Sequence, residues 1–233
     1  MSTHVKKIVL LAYMLGLSTI SISKVHEVVL FDNIFVPSDI VIEAGDTVRW
    51  INDGTTNFNE HNVSANDGSF RCAQGCDGDG GSGEPSVNSW TAEVTFRSLG
   101  TISYKCDPHI IFGMVGSVTV VEPQSTTVYE VVATGGDAFA PDDLTIQRGD
   151  VVRFTNGGGE HNINSADNSL ICSVACEGDG TTLDTSPTGF PWDIYVRFDE
   201  VAEIPYFCET HELSGTPAII RVISDTIFAN GFE

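Results

Sequence analysis

The chain has 233 residues, and 32 acidic side chains against 11 basic ones give a net charge of −21. That balance excludes general nucleic-acid binding, because phosphates would be repelled rather than neutralised, and it speaks against docking on anionic lipid. It favours solubility and basic partners reached by electrostatic steering.

The chain opens with Lys6 and Lys7, an apolar run from Ile8 to Ile20, and then the small residues Ser21 and Ser23. This is the layout of a secretory signal peptide over residues 1–23, with cleavage expected after Ser23. The run of about 13 apolar residues falls short of the roughly 20 that span a bilayer. No later segment is long and apolar enough to span, so an exported protein without a membrane span is expected, periplasmic or extracellular. Removing the leader takes away two lysines and no acids, which moves the balance to −23. About 210 residues then remain, enough for two domains.

Those domains announce themselves as an internal repeat. FVPSDIVIEAGDTVRWIN (35–52) matches FAPDDLTIQRGDVVRFTN (139–156), and EHNVSANDGSFRCAQGCDGDG (60–80) matches EHNINSADNSLICSVACEGDG (160–180). SWTAEVTFRSLGTISYKCDPH (89–109) matches PWDIYVRFDEVAEIPYFCETH (191–211). A period near 100 residues indicates two duplicated domains, since solenoid units usually run about 20–50 residues. The expected division is 24–123 and 124–226, joined at the polar EPQSTT (122–127) and followed by a tail at 227–233.

Within each repeat the pattern is all-β. DTVRW (46–50), EVTF (93–96), TISYKC (101–106) and SVTVV (117–121) alternate or are rich in Val, Ile, Thr and aromatics. Gly, Asn, Asp and Pro clusters separate them, and each GD pair runs straight into a strand. This spacing predicts an antiparallel sandwich in each half.

The chemistry gathers at the third matched block. CDPHIIFGM (106–114) carries Cys106, His109 and Met114, and its echo CETHELSGT (208–216) carries Cys208, His211 and Thr216. Beyond the leader there is one methionine, Met114, and four of the five histidines fall at matched positions: His61, His109, His161 and His211. One thiolate, two imidazoles and a thioether suit copper, because soft sulfur stabilises Cu(I) while imidazole suits both oxidation states. Cys-x-x-His-x4-Met places three ligands on one loop between two strands, and His61 is expected to add a fourth from a distant strand. The scaffold then holds the geometry while the metal changes charge.

The residues AGDTVRWIN, HNV and CDPHIIFGM resemble the cupredoxins, and most closely their plastocyanin-like branch. The resemblance implies two tandem Greek-key β-sandwiches, with a blue (type 1) copper site formed by His61, Cys106, His109 and Met114. It also implies that Asn62 and Asn162 brace the ligand loops, and that His109 is the electron port. Pro108, Ile110, Ile111 and Phe112 would then form an apolar docking patch for a redox partner protein. The second repeat keeps His161, Cys208 and His211 but puts Thr216 in place of the methionine. That leaves three-coordinate copper, a hydroxyl or water oxygen, a carboxylate from Glu209 or Glu212, or a relic that no longer holds metal as alternatives there.

Cys72, Cys76, Cys172 and Cys176 form a Cys-x3-Cys pair in each repeat. Export favours disulfides, and local pairing is the simplest of the three arrangements, because each copy then carries its own bridge. A dinuclear copper centre would need a histidine where Gly80 and Gly180 stand. CDGDGGSGE (76–84) fails the calcium-loop pattern and reads as a solvated Gly-Asp loop. No His-x-His pair occurs and no histidine flanks Cys106 or Cys208, so an electron carrier rather than an oxidase is expected. Copper sequestration or delivery without redox turnover is the alternative.

Overall fold

In TVRWIN (Thr47–Asn52), Val48, Trp50 and Asn52 are buried while the residues between them are half-exposed. That is the two-residue period of a strand with one face on a core. The computed structural model of the protein describes residues 23–54, 60–124, 126–189, 191–211 and 217–224. Residues 1–22 of the expected leader, Thr216, Glu212 and the tail at 227–233 lie outside the described residues.

The first repeat contributes β1 (Val25–Phe31), β2 (Ile34–Val36), β3 (Asp39–Glu43), β4 (Thr47–Asn52), β5 (Val63–Ala65), β6 (Arg71–Ala73) and β7 (Gly75–Cys76). It continues with β8 (Trp90–Thr95), β9 (Gly100–Lys105) and β10 (Val115–Val121). The second contributes β11 (Val128–Ala133), β12 (Phe139–Ala140), β13 (Asp143–Gln147), β14 (Val151–Asn156) and β15 (Ile163–Ser165). It ends with β16 (Ile171–Cys172), β17 (Asp193–Arg197), β18 (Ala202–Phe207) and β19 (Ala218–Ile223).

Each repeat folds as two facing sheets, giving two tandem cupredoxin-like β-sandwich domains. In the first, the sheets run β2-β1-β4-β8 and β3-β10-β9-β5-β6-β7; in the second, β12-β11-β14-β17 and β13-β19-β18-β15-β16. The sheets are mixed, which corrects the antiparallel expectation. β1 pairs in parallel with β4, and β3 with β10, because the chain leaves the first sheet after β2, runs β3 in the second, and returns to the first for β4. Alternation along a strand reports which face is buried and carries no information on a neighbour's direction.

Each domain has its own core. Trp50, Phe70, Phe96 and Tyr104 form an aromatic cluster in the first, with Trp50 and Tyr104 edge to face at 5.5 Å. Phe154, Tyr206 and Phe139 do the same in the second. The GD pairs have a structural use: Asp46 accepts from the backbone of Lys24 (3.0 Å) and Glu43 (3.2 Å) and from His26 (2.8 Å), tying the first strand to the turn.

The domains also touch. Arg97 makes a bidentate ion pair with the buried Asp179 (2.7 and 2.8 Å), and Val151 and Tyr195 join the first domain's core. β8 and β17 are sheet edges, and each is covered by the other domain: Thr95 N–H donates to Asp179 O and Tyr195 N–H to Arg97 O, both at 2.9 Å. Covered edges do not recruit foreign strands. Among the described residues no helix is long and apolar enough to cross a membrane.

Candidate metal centres

Cys106, His109 and Met114 lie on the connection between β9 and β10, closed where Val115 pairs with Lys105. Cys106 N–H donates to Met114 O (3.1 Å), and Met114 N–H donates to His109 O (3.2 Å). A short 3-10 turn over Ile110–Phe112 fills the space between, ending on Gly113 at φ 82°, a conformation open to glycine without strain. His61 does not sit within a strand. It stands on an isolated bridge to Ser86, with both backbone hydrogen bonds made (3.1 and 3.0 Å), just before β5.

These elements bring His61, Cys106 and His109 together, all buried. Cys106 Sγ lies 3.7 Å from His61 Nδ1 and 3.4 Å from His109 Nδ1, so the same nitrogen of each ring faces the sulfur. Bond lengths of about 2.3 Å to sulfur and about 2.0 Å to nitrogen, set at trigonal angles, put such atoms about 3.7 Å apart. The residues fit a trigonal metal ion. Met114, at the end of the loop, is fully buried.

The electrostatics prepare the site for a cation. Burial, and then the neighbouring His109, pull His61 down to about 4, and burial lowers His109 as well, so both rings are neutral at pH 7. Burial pushes the Cys106 thiol up, against hydrogen bonds from Asn62 and His109. A metal cation held there would supply the positive countercharge that a buried thiolate needs, and the Cys106 thiol would give up its proton to bind it.

Around this set runs a hydrogen-bonded brace. Asp107 N–H donates to Asn62 Oδ1 (2.8 Å), while Asn62 Nδ2 donates to Asp107 Oδ2 (2.8 Å) and to Gly83 O (3.0 Å). Arg71 adds its Nε to Asp107 (3.2 Å) and pairs with Glu84 (2.7 Å). Burial opposes the Asp107 carboxylate, yet Asn62 and Arg71 hold its pKa below the ordinary value. Sequence reasoning missed Arg71 and Asp107. Their signal was the substitution pattern between repeats, where Arg71 faces Ile171 and Asp107 faces Glu209.

The second domain repeats the plan with changes. His161 stands on a bridge to Thr188, and His161, Cys208 and His211 are gathered within 4.8 Å. The ring pairs match closely: His61 and His109 have centroids 4.6 Å apart at 46°, His161 and His211 4.8 Å at 45°. Asn162 Oδ1 accepts from Glu209 N–H (3.0 Å). With no arginine at position 171, the Glu209 carboxylate turns to Asn164 Nδ2 (2.8 Å). His211 is partly exposed, with Nε2 lying 3.4 Å from Asp137.

Pro108 is half-buried, whereas Ile110, Ile111 and Phe112 are exposed by 46, 80 and 66%. Cys72–Cys76 and Cys172–Cys176 are disulfides, one within each repeat. Of the Gly-Asp loop at 76–84, residues 78–82 are exposed, while Asp77 accepts from Gly83 N–H at 2.8 Å.

Residues 30–121 match the family described as copper binding proteins, plastocyanin/azurin family. A plastocyanin from Scenedesmus fuscus is 33% identical over 91 residues, covering 37% of this chain and 86% of that protein. Among solved structures, amicyanin from Paracoccus versutus is similar at 25% identity and a TM-score of 0.29, over 41% of this chain and 79% of that one. Copper nitrite reductase from Nitrosomonas europaea is similar at 16% identity and a TM-score of 0.32, over 87% of this chain and 95% of that one.

Proposed function

The chain belongs to the plastocyanin/azurin family of copper-binding proteins, and from that premise we propose that it is an exported electron carrier. Copper is its cofactor, with one His-Cys-His group per domain to hold an ion. In the first domain His61, Cys106, His109 and Met114 hold a blue copper site; in the second His161, Cys208 and His211 hold a variant one. The observation that carries the reading is the spacing of Cys106 Sγ from two Nδ1 atoms, 3.7 and 3.4 Å. Copper bound there supplies one-electron exchange.

The chain's own residues do the rest. His61 arrives from one bridge and the other ligands from a loop hydrogen-bonded at both ends, so the donor set keeps its shape as charge changes. His109 is the one trigonal ligand of the first domain that adjoins an exposed apolar turn, Ile110–Phe112, which suits brief docking of a redox partner. Acidic surface elsewhere favours a basic partner. Export is supported by the leader pattern and by the two disulfides, which persist in oxidising compartments. A carrier rather than an enzyme is supported by the matched histidines, all four of which go to these two groups.

The test is to purify the protein, add Cu(II), count metal per chain and record visible absorption for wild type, Cys106→Ser and Cys208→Ser. Intense thiolate-to-copper absorption that bleaches with reductant, and that Cys106→Ser removes, is the expected result. Tight colourless uptake of Cu(I) alone overturns the carrier in favour of sequestration or delivery.

A further inference from the structure

The two ligand loops differ at the residue before the second histidine. Cys106-Asp107-Pro108-His109 has a proline there, with no hydrogen-bonding side chain; Cys208-Glu209-Thr210-His211 has a threonine. The Thr210 hydroxyl sits among three groups. Its Oγ1 is 2.9 Å from Glu160 O, 3.1 Å from Cys208 Sγ and 3.5 Å from His211 Nδ1.

A hydroxyl has a single proton and two lone pairs. The Glu160 carbonyl can only accept, so it takes that proton, and the lone pairs turn toward the thiol and the imidazole. Atoms that share a tetrahedral first-row ion, with bonds of about 2.0–2.3 Å, lie roughly 3.3–3.8 Å apart. The separations from Thr210 Oγ1 to the sulfur and nitrogen are close to that range. The other oxygen on this stretch, the Glu209 carboxylate, is engaged by Asn164 at 2.8 Å.

We propose that Thr210 Oγ1 is the oxygen ligand of the copper held by His161, Cys208 and His211. The inference rests on the reading that this second group binds copper. It gives the second domain a sulfur, two nitrogens and an oxygen where the first has a thioether. Oxygen is the harder donor, so Thr210 biases the second site toward Cu(II).

The test uses the full chain carrying His61→Gln, Cys106→Ser and His109→Gln, which together remove the trigonal donors of the first site so that the second is read alone. Metal is counted first, and then Cu(II) and Cu(I) affinities and the reduction potential are measured for this parent, for Thr210→Val and for Thr210→Ser. Thr210 is exposed, so neither change disturbs the core. Thr210→Val keeps the shape without the hydroxyl and is expected to weaken Cu(II) about tenfold. With Cu(I) binding unchanged, a tenfold loss raises the potential by about 59 mV. Thr210→Ser, which keeps the oxygen, is expected to match the parent.

Equal Cu(II) preference in Thr210→Val and the parent overturns the assignment, as does equal weakening of both ions that serine fails to restore. A parent that takes up no copper removes the second site itself, and the metal count separates that outcome from failure of the threonine alone.

Discussion

Asn62 holds Asp107 from two directions, accepting its backbone N–H and donating to its carboxylate, each at 2.8 Å. Asp107 follows the ligand Cys106, so a residue beside one ligand, His61, fixes the loop that carries the others. Asn62 is fully buried, and Asn62→Ala leaves the Asp107 N–H without its partner. A loss of about 2 kcal/mol in the unfolding free energy of the copper-free protein is expected. Copper affinity should fall roughly 10–100-fold, as for other groups that orient metal ligands. Chemical denaturation and chelator competition measure the two effects, and an unchanged affinity would show that the brace serves folding alone.

Phe112 tests the docking surface without touching a ligand. It is 66% exposed on the turn that follows His109, its ring 6.3 Å from that of His109. Phe112→Asp should slow electron exchange with a basic redox protein about tenfold, as loss of an interface anchor does. The visible band of the first site should stay unchanged. Stopped-flow reduction reads the rate, and raising ionic strength should slow the wild type as steering is screened. An unaltered rate removes the docking role.

Much of the site was legible because metal ligands are conspicuous residue types at fixed spacing. Cys106, His109, His161 and Cys208 stand where a duplicated pattern puts them, and the sheets follow from two-residue periodicity. Strand direction was not legible, since β1 and β4 alternate alike whether parallel or antiparallel. Nor was the contact between domains. The loop CEGDG (176–180) matches CDGDG (76–80) almost letter for letter, yet Asp179 is buried against Arg97 while Asp79 is exposed. What separates the two loops is the partner surface, and a partner 82 residues away leaves no local trace.

The copper-free protein should weaken in mild acid. His61 sits at about 4 in the fold, against an ordinary 6.5, chiefly because it is buried. Between those values the unfolded chain binds a proton that the folded one refuses, so stability rises with pH across the window. It is complete above pH 6.5 and is lost as pH falls toward about 4. Copper on the ring nitrogen competes with the proton, so loaded protein should keep its stability further into acid. Urea midpoints at several pH values, with and without copper, check this. His61→Gln should reduce the copper-free slope, leaving the part that the buried His109 and His161 contribute, and an unchanged slope would mean that His61 is not its source.

Gly180 and Gly80 give a matched pair for the domain contact. Both have left-handed backbones, at φ 75° and 72°, so alanine at either costs about 1 kcal/mol in strain. A Cβ on Gly80 meets nothing within 4 Å, whereas one on Gly180 would stand 2.3 Å from Glu93 O in the other domain. Gly180→Ala therefore has to push its loop off β8, and Asp179 with it, away from Arg97. Breaking that pair leaves a buried carboxylate unsupported, which costs about 3 kcal/mol beyond the shared strain. Thermal unfolding of the two variants should differ accordingly. The joint at 122–127 should also become a protease site in Gly180→Ala alone, with the two domains surviving as fragments. Equal stability of the two variants would mean that the domains are held by the linker and not by this contact.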